Sequence, residues 1–216
     1  MSISKKINTI KSQLPAHVTL VAVSKTKPVA DLMEAYNAGQ RIFGENKIQE
    51  MTDKWEVMPK DIEWHMIGHV QTNKVKFMAP YVSLIHSVDS LKLLQEINKQ
   101  AAKNNRVIDC LLQVYIAEEE SKFGLDEQEL EAILCSTEFK QLKNIRIVGL
   151  MGMATFTENK NQIEKEFKYL KTIFDKFKIK NSELKILSMG MSGDYQLAIS
   201  CGSTMVRIGS SIFGSR

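Results

Sequence analysis

The segment Leu20-Val21-Ala22-Val23-Ser24-Lys25 consists of an apolar run followed by a serine and a lysine, and the apolar run indicates the class of fold. Residues 20–23 are apolar at every position and lack the alternation expected of a strand with one face in water. A strand of this kind is covered by helices on one face and by a packed interior on the other. Residues 20–23 therefore predict an α/β protein with a parallel sheet.

Similar short apolar segments recur along the chain and alternate with longer segments of helical period. No linker rich in proline, glycine and serine interrupts this alternation. The predicted strands are residues 18–23, 41–44, 63–67, 84–86, 107–114, 145–150, 184–187 and 204–208. The predicted helices are residues 30–39, 47–55, 72–78, 90–104, 126–135, 161–177 and 194–200, with an extra helix before the first strand that ends at residues 8–13.

Eight β-then-α units with short connections predict a single (β/α)8 TIM barrel with an extra N-terminal helix. A doubly wound open sheet stays the alternative, because periodicity does not show whether a sheet closes on itself. The chain has 216 residues, of which 44% are hydrophobic and 25% are charged, so it has apolar material for one sizeable core. We expect one domain that spans residues 1–216.

Charge and cysteine content argue against several classes of function. The net charge is only +4 and is spread along the chain, which does not support nucleic-acid binding. Three widely spaced cysteines without a CxxC pair argue against a disulfide framework or a zinc cage and fit a reducing cytosol. The N-terminus lacks the apolar region of a signal peptide, and no apolar stretch approaches the roughly 18–20 residues that span a bilayer. We expect a cytoplasmic protein.

Two late loops at the carboxyl ends of predicted strands are rich in glycine and serine. Residues 189–194 follow the seventh strand, and residues 209–211 follow the eighth strand, on which Arg207 lies. Functional sites of such barrels lie at this end, where glycine amides, hydroxyls and a helix N-terminus suit a phosphate group. The same residues also suit turns and helix caps without a ligand. The sequence pattern leaves both interpretations open.

Lys25 is placed at the mouth of the predicted barrel, directly after the first strand. A lysine amine at such a position is able to form a Schiff base with a carbonyl compound. Most lysines at strand ends are instead charges that remain in water. A phosphorylated aldehyde cofactor would use the glycine-rich and serine-rich loops and Lys25 together.

Other chemistries have less support. Ser24 and Lys27 match the S-x-x-K pattern of serine acyl enzymes, but Pro28 disfavours the required helix and the partner motifs are missing. His65 and His69 have the spacing of zinc ligands on a helix, but an intervening glycine and the preceding strand argue against a helix. The sequence has no G-x-S-x-G motif for a serine nucleophile. We predict no catalytic and no metal-binding residues.

Six segments of the sequence resemble the YggS/PROSC family of pyridoxal phosphate homeostasis proteins. The segments are LVAVSKTKP at residues 20–28, FGENKIQE at 43–50, WHMIGHVQTNK at 64–74, GLMGM at 149–153, SMGMSGD at 188–194 and GSTMVRIGSSIFG at 202–214. They occur in order at suitable spacing and cover essentially the whole chain, which makes the resemblance specific.

The resemblance implies a barrel similar to the N-terminal domain of alanine racemase, with a PLP fold type III-like architecture. Its cofactor would be pyridoxal 5′-phosphate (PLP), held covalently as an internal aldimine on Lys25. The resemblance also implies contacts to the phosphate, to the pyridine nitrogen and to the ring. These contacts are Ser192, Gly193, Gly209 and Ser210 for the phosphate, Arg207 for the nitrogen, and Asn46 and His65 beside the ring.

The chemistry of these residues favours a PLP carrier with no robust reaction of its own. An arginine gives up no proton, so a ring nitrogen that faces it stays unprotonated and the ring is a weaker electron sink. Racemisation also needs a second acid/base group, which in alanine racemase is a tyrosine from another domain. We expect a monomeric carrier or buffer that meets apo-enzymes transiently. A weakly active PLP-dependent amino-acid racemase and a barrel for another phosphorylated metabolite stay open.

Overall fold

The structure is a computed structural model that describes residues 1–119 and 123–214. Eight parallel strands form a closed barrel in chain order. The last strand pairs with the first, with Thr19 opposite Met205 and Ala22 opposite Ile208. The predicted TIM barrel is confirmed, and the open sheet is wrong because this pairing closes the barrel. The strands are β1 Thr19–Val23, β2 Ile42–Glu45, β3 Glu63–Met66, β4 Leu84–Val88, β5 Ile108–Gln113, β6 Ile145–Met151, β7 Ile186–Ser188 and β8 Met205–Ile208.

Helices of the described residues surround the barrel. They are α1 Ile3–Gln13, α2 Val29–Asn37, α3 Ile48–Val57, α4 Val75–Met78, α5 Leu91–Lys103, α6 Glu127–Cys135, α7 Thr137–Lys140, α8 Lys160–Lys180, α9 Tyr195–Ser200 and α10 Ser210–Phe213. The helix predicted at residues 72–78 is divided into a 3₁₀ turn, Thr72–Lys74, and α4. The sequence pattern did not predict α7 and α10, because helices of four residues are too short to show a helical period.

Side chains of the strands alternate between the barrel interior and the surrounding helices. In β1, Val21 belongs to a cluster inside the barrel, whereas Leu20 and Ala22 belong to the larger cluster beneath the helices. The interior cluster consists of Val21, Leu84, Leu111, Met151 and Met205. Both faces of β1 are therefore buried, which explains why residues 20–23 are apolar without alternation.

The longest helix, α8, begins at Asn159, whose side chain accepts a hydrogen bond from the Gln162 amide at 3.3 Å. One face of α8 is buried against the barrel and the opposite face carries lysines. Apolar side chains at helical spacing explain this arrangement. Within the part of the chain that the structure describes, no helix is both long enough and apolar enough to cross a membrane.

Candidate functional site

A cavity of about 670 Å³ opens at the carboxyl ends of the barrel strands. This is the end at which TIM barrels carry their functional residues, because the loops after the strands converge there. Seven of the eight residues predicted as a site line this cavity together. They are Lys25, Asn46, Ser192, Gly193, Arg207, Gly209 and Ser210.

A buried polar network fixes the backbone immediately before Lys25. The Ser24 hydroxyl donates to Glu45 Oε1 at 2.6 Å. The Lys54 amine donates to the same carboxylate oxygen at 2.8 Å and to the Ser24 carbonyl at 2.8 Å. Burial raises the pKa of Glu45, while the hydrogen bonds from Lys54 and Ser24 act in the opposite direction. The network joins β1, β2 and α3 beneath the Lys25 loop.

The backbone immediately after Lys25 is held in an unfavourable conformation. Thr26 has a φ of 63°, which is rare for a β-branched residue. Its amide donates to Glu50 Oε1 at 2.6 Å, and the same oxygen accepts from Lys54 at 2.7 Å. Strained residues persist where surrounding contacts hold them, and they are frequent at functional sites. Lys25 therefore extends from a backbone that is anchored on both sides.

The two glycine-rich and serine-rich loops form a cup of hydrogen-bond donors at one side of the cavity. The Ser192 hydroxyl oxygen accepts from the Gly209 amide at 3.2 Å and from the Ser211 amide at 3.4 Å. Because the oxygen accepts from both amides, the hydroxyl proton of Ser192 is left to donate elsewhere. A Cβ on Gly209 would lie 3.1 Å from the Val23 carbonyl oxygen, so glycine allows β8 and β1 to approach closely here.

Asp194 also lines this side of the cavity. Its Oδ1 accepts a hydrogen bond from the Met191 amide at 2.5 Å. Burial raises the pKa of Asp194, while this hydrogen bond and the charge of Arg207 act in the opposite direction. The carboxylate therefore fixes the backbone of the loop after β7.

Arg207 brings a buried cation to the cavity. Its Nη1 donates to Ser188 Oγ at 2.7 Å, and its Nη2 donates to the Gly152 carbonyl at 3.1 Å. Burial lowers the pKa of Arg207 to about 10, with Asp194 acting in the opposite direction. The guanidinium therefore stays charged at neutral pH.

His65 is the one predicted site residue that the structure places elsewhere. It lies two positions before Ile67, which lines the cavity, so both side chains face the barrel interior with His65 deeper. Its Nδ1 lies 3.0 Å from His86 Nε2. Burial lowers the pKa of His65 to about 3. The structure therefore places His65 beneath the residues that line the cavity, and its contact with a ring stays a prediction.

Sequence comparisons with known proteins identify the family to which this chain belongs. The profile of the family described as alanine racemase, N-terminal domain, matches residues 1–216. The chain belongs to this family. Among named relatives, the pyridoxal phosphate homeostasis protein of Aquifex aeolicus is 41% identical over 199 residues, which cover 91% of this chain and 86% of the relative. The protein of the same name from Escherichia coli K12 is 38% identical over 207 residues, which cover 94% and 87%. The resemblance to pyridoxal phosphate homeostasis proteins seen in the sequence is confirmed.

Two solved structures share the barrel of this chain. PipY of Synechococcus elongatus PCC7942, solved with PLP bound, has a TM-score of 0.90 and 35% identity, over 99% of this chain and 100% of that chain. An alanine racemase of Clostridium difficile is 16% identical with a TM-score of 0.82, over 100% of this chain but only 56% of that chain. The second comparison shows a common fold alone.

Several polar residues around the site were not singled out from the sequence. Glu45 and Lys54 lie outside the barrel interior but anchor the Lys25 loop, and His86 and Ser188 lie inside it near Arg207. The signal for His86 and Ser188 was their presence within apolar strand segments, because buried polar groups need partners. Lys54 lies four residues after Glu50, a spacing that predicts an ion pair on one helix face.

Proposed function

We propose that this chain binds PLP and takes part in PLP homeostasis, as the names of its relatives state for them. In this role it holds the cofactor in reserve and passes it to apo-enzymes in the cytoplasm. The observation that carries the proposal is one cavity that contains a lysine on an anchored loop, a cup of N–H and O–H donors, and a buried arginine.

The chemistry of this donor set fits PLP. A phosphate dianion suits the hydroxyls of Ser192 and Ser210. The amides of Gly209 and Ser211 orient the Ser192 hydroxyl by donating to its oxygen. The space beside Gly193 is open, with no atom within 4 Å of an added Cβ. A pyridine nitrogen accepts hydrogen bonds, and Arg207 donates them. An aldehyde condenses with a primary amine, which Lys25 provides. We assign the contact beside the ring to Asn46, which lines the cavity.

Bound PLP supplies an aldehyde that reacts reversibly with primary amines. Lys25 holds the cofactor through a Schiff base, and the cup of donors holds its phosphate. Arg207 keeps its proton at neutral pH, so the ring nitrogen that it faces stays unprotonated. An unprotonated ring stabilises carbanions poorly, which suits storage better than amino-acid chemistry.

The absorption spectrum of the purified protein tests the assignment of Lys25. We expect a visible Schiff-base band that borohydride reduction removes, leaving PLP covalently attached. Lys25→Ala should lose both the band and the reduced adduct. Lys27→Ala is the matched control, because Lys27 lines the same cavity and should leave both unchanged. An unaltered adduct in Lys25→Ala would assign the amine to another lysine.

A second experiment separates a carrier from a racemase. The loaded protein should transfer PLP to an apo-enzyme and restore the activity of that enzyme. It should exchange the α-proton of amino acids no faster than free PLP does. Exchange well above this level, abolished by Lys25→Ala, would replace the carrier with a racemase. We also expect a monomer, which sedimentation of the loaded protein checks.

A further inference from the structure

Four side chains form a continuous hydrogen-bonded chain through the barrel interior. Arg207 Nη1 lies 2.7 Å from Ser188 Oγ, and Ser188 Oγ lies 3.1 Å from His86 Nδ1. His86 Nε2 then lies 3.0 Å from His65 Nδ1. The four residues are at most 4% exposed and come from β8, β7, β4 and β3. The chain thus begins at the cavity and ends below it.

The chemistry of the donors gives this chain a direction. A guanidinium only donates, so Ser188 Oγ accepts from Arg207 and can pass its own proton to His86 Nδ1. His86 then carries its proton on Nε2 and donates it to His65 Nδ1. If His86 Nδ1 instead donated to Ser188 Oγ, the Ser188 oxygen would accept from both His86 and Arg207. Its buried hydroxyl proton would then have no acceptor among the described residues that contact it. Every donor therefore points away from Arg207.

The charges agree with this direction, because both histidines are neutral. Burial lowers the pKa of His86 well below its ordinary value, and the neighbouring His65 and Arg207 lower it further. Burial alone lowers the pKa of His65 to about 3. The titratable groups in this hydrogen-bonded chain are thus one cation, Arg207, and two neutral imidazoles, His86 and His65.

We propose that Ser188 and His86 are positioning residues that orient the Arg207 guanidinium toward the cofactor, with His65 supporting His86 from below. The proposal rests on the proposed function. A guanidinium held by Ser188 and the Gly152 carbonyl before the cofactor arrives loses less conformational freedom on binding. The protons of Ser188 and His86 point away from Arg207, so neither residue supplies a proton toward the ring nitrogen. The residues around Arg207 therefore help to keep PLP bound and unreactive.

Ser188→Ala tests the first link of the chain. We expect PLP affinity to fall roughly tenfold, the size expected for one hydrogen bond to a charged group. We also expect the absorption band of bound PLP to shift, because the arginine beside its ring is released. Ser203→Ala is the matched control: it is an equally buried serine that contacts the carbonyls of Leu187, Met189 and Met205 instead.

His86→Phe tests the second link and keeps an aromatic ring in the same space. If the residues act as one chain, His86→Phe and Ser188→Ala should each weaken PLP binding, and the double variant should lose no more than the larger single effect. Urea unfolding of each variant shows whether the fold is retained. Additive losses in folded variants would overturn the chain as a unit.

Nitrogen NMR of the histidines in the PLP-free protein tests the direction without any cofactor. We expect His86 and His65 to be neutral with the proton on Nε2, and His86 to lose this single tautomer in Ser188→Ala. A proton on Nδ1 of His86 would overturn the direction.

If wild type and folded Ser188→Ala bind PLP equally with the same band, the positioning role fails while the proposed function stands. A wild-type protein that does not bind PLP overturns both.

Discussion

At the scale of single residues, the Glu45–Lys54 pair is the most deeply buried ion pair among the described residues, with side chains 0% and 7% exposed. The second carboxylate oxygen of Glu45, Oε2, has no hydrogen-bond partner among the described residues. A buried charge that loses its only cationic partner is strongly destabilised. The pair therefore links the anchoring of Lys25 to the stability of the fold.

We expect Lys54→Met to lower the free energy of unfolding by about 3–5 kcal/mol, measured by urea unfolding. The double variant Glu45→Leu with Lys54→Met should lose less, because it removes the unpaired buried charge. Arg146→Met is a control that breaks the exposed Arg146–Asp109 pair, and it should cost less than about 1 kcal/mol. A double variant less stable than Lys54→Met would contradict this interpretation.

At the scale of elements, the loops after β2 and β3 are in close backbone contact. A Cβ on Gly68 would lie 2.4 Å from the Asn46 carbonyl oxygen and 2.7 Å from Asn46 Cα. The Ser87 hydroxyl donates to the Gly68 carbonyl from the other side. Gly68 and Asn46 both line the cavity. Only a glycine at residue 68 therefore allows the Asn46 backbone to keep its position in the cavity wall.

We expect Gly68→Ala to displace Asn46 and to weaken PLP binding roughly tenfold or more, because small displacements of contact residues are costly. Gly39→Ala is the control, since Gly39 has a φ of 83° but lies in the turn after α2, outside the cavity. It should destabilise the protein by about 1 kcal/mol and leave PLP affinity unchanged. Titration with PLP and urea unfolding measure both effects. Wild-type affinity in Gly68→Ala would show that the wall adapts.

At the scale of the whole molecule, two neutral buried histidines predict a loss of stability in mild acid. The pKa of His65 is about 3 in the folded protein, against 6.5 for an exposed histidine, and that of His86 is also lowered. Below pH 6.5 the unfolded chain therefore binds protons that the folded protein does not. Their stabilising effect is complete above about pH 6.5 and is lost progressively toward pH 3.

We expect the free energy of unfolding to fall by about 2 kcal/mol per histidine between pH 7.5 and pH 5. Urea unfolding across this window measures the effect, and His65→Leu should show a smaller decrease. Burial also raises the pKa of Glu45 and Asp194, and these carboxyl groups contribute with the opposite sign. The difference between the wild type and His65→Leu isolates the contribution of His65. An equal decrease in the wild type and in His65→Leu would contradict the neutral state of His65.

How much of the site the sequence predicted depends on the kind of residue. Lys25 and the two glycine-rich and serine-rich loops lie just after strands, and Arg207 lies on the eighth strand, so the order of elements was enough to bring them to one end of the barrel. Asn46 was added by the resemblance to known motifs. His65 lies within a strand, and its depth depends on how far the strand continues before the cavity begins.

By itself, the sequence determined that this chain is a parallel α/β protein with a lysine after the first strand, glycine-rich and serine-rich loops after the seventh and eighth strands, and an arginine on the eighth strand. Periodicity, apolar runs and turn residues are local signals, and they suffice for that. Tertiary structure alone decided that β8 meets β1, that Glu45 and Lys54 anchor the loop of Lys25, and that Arg207, Ser188, His86 and His65 form one chain. These contacts join residues distant along the chain, and only closure of the barrel brings their side chains within hydrogen-bonding distance.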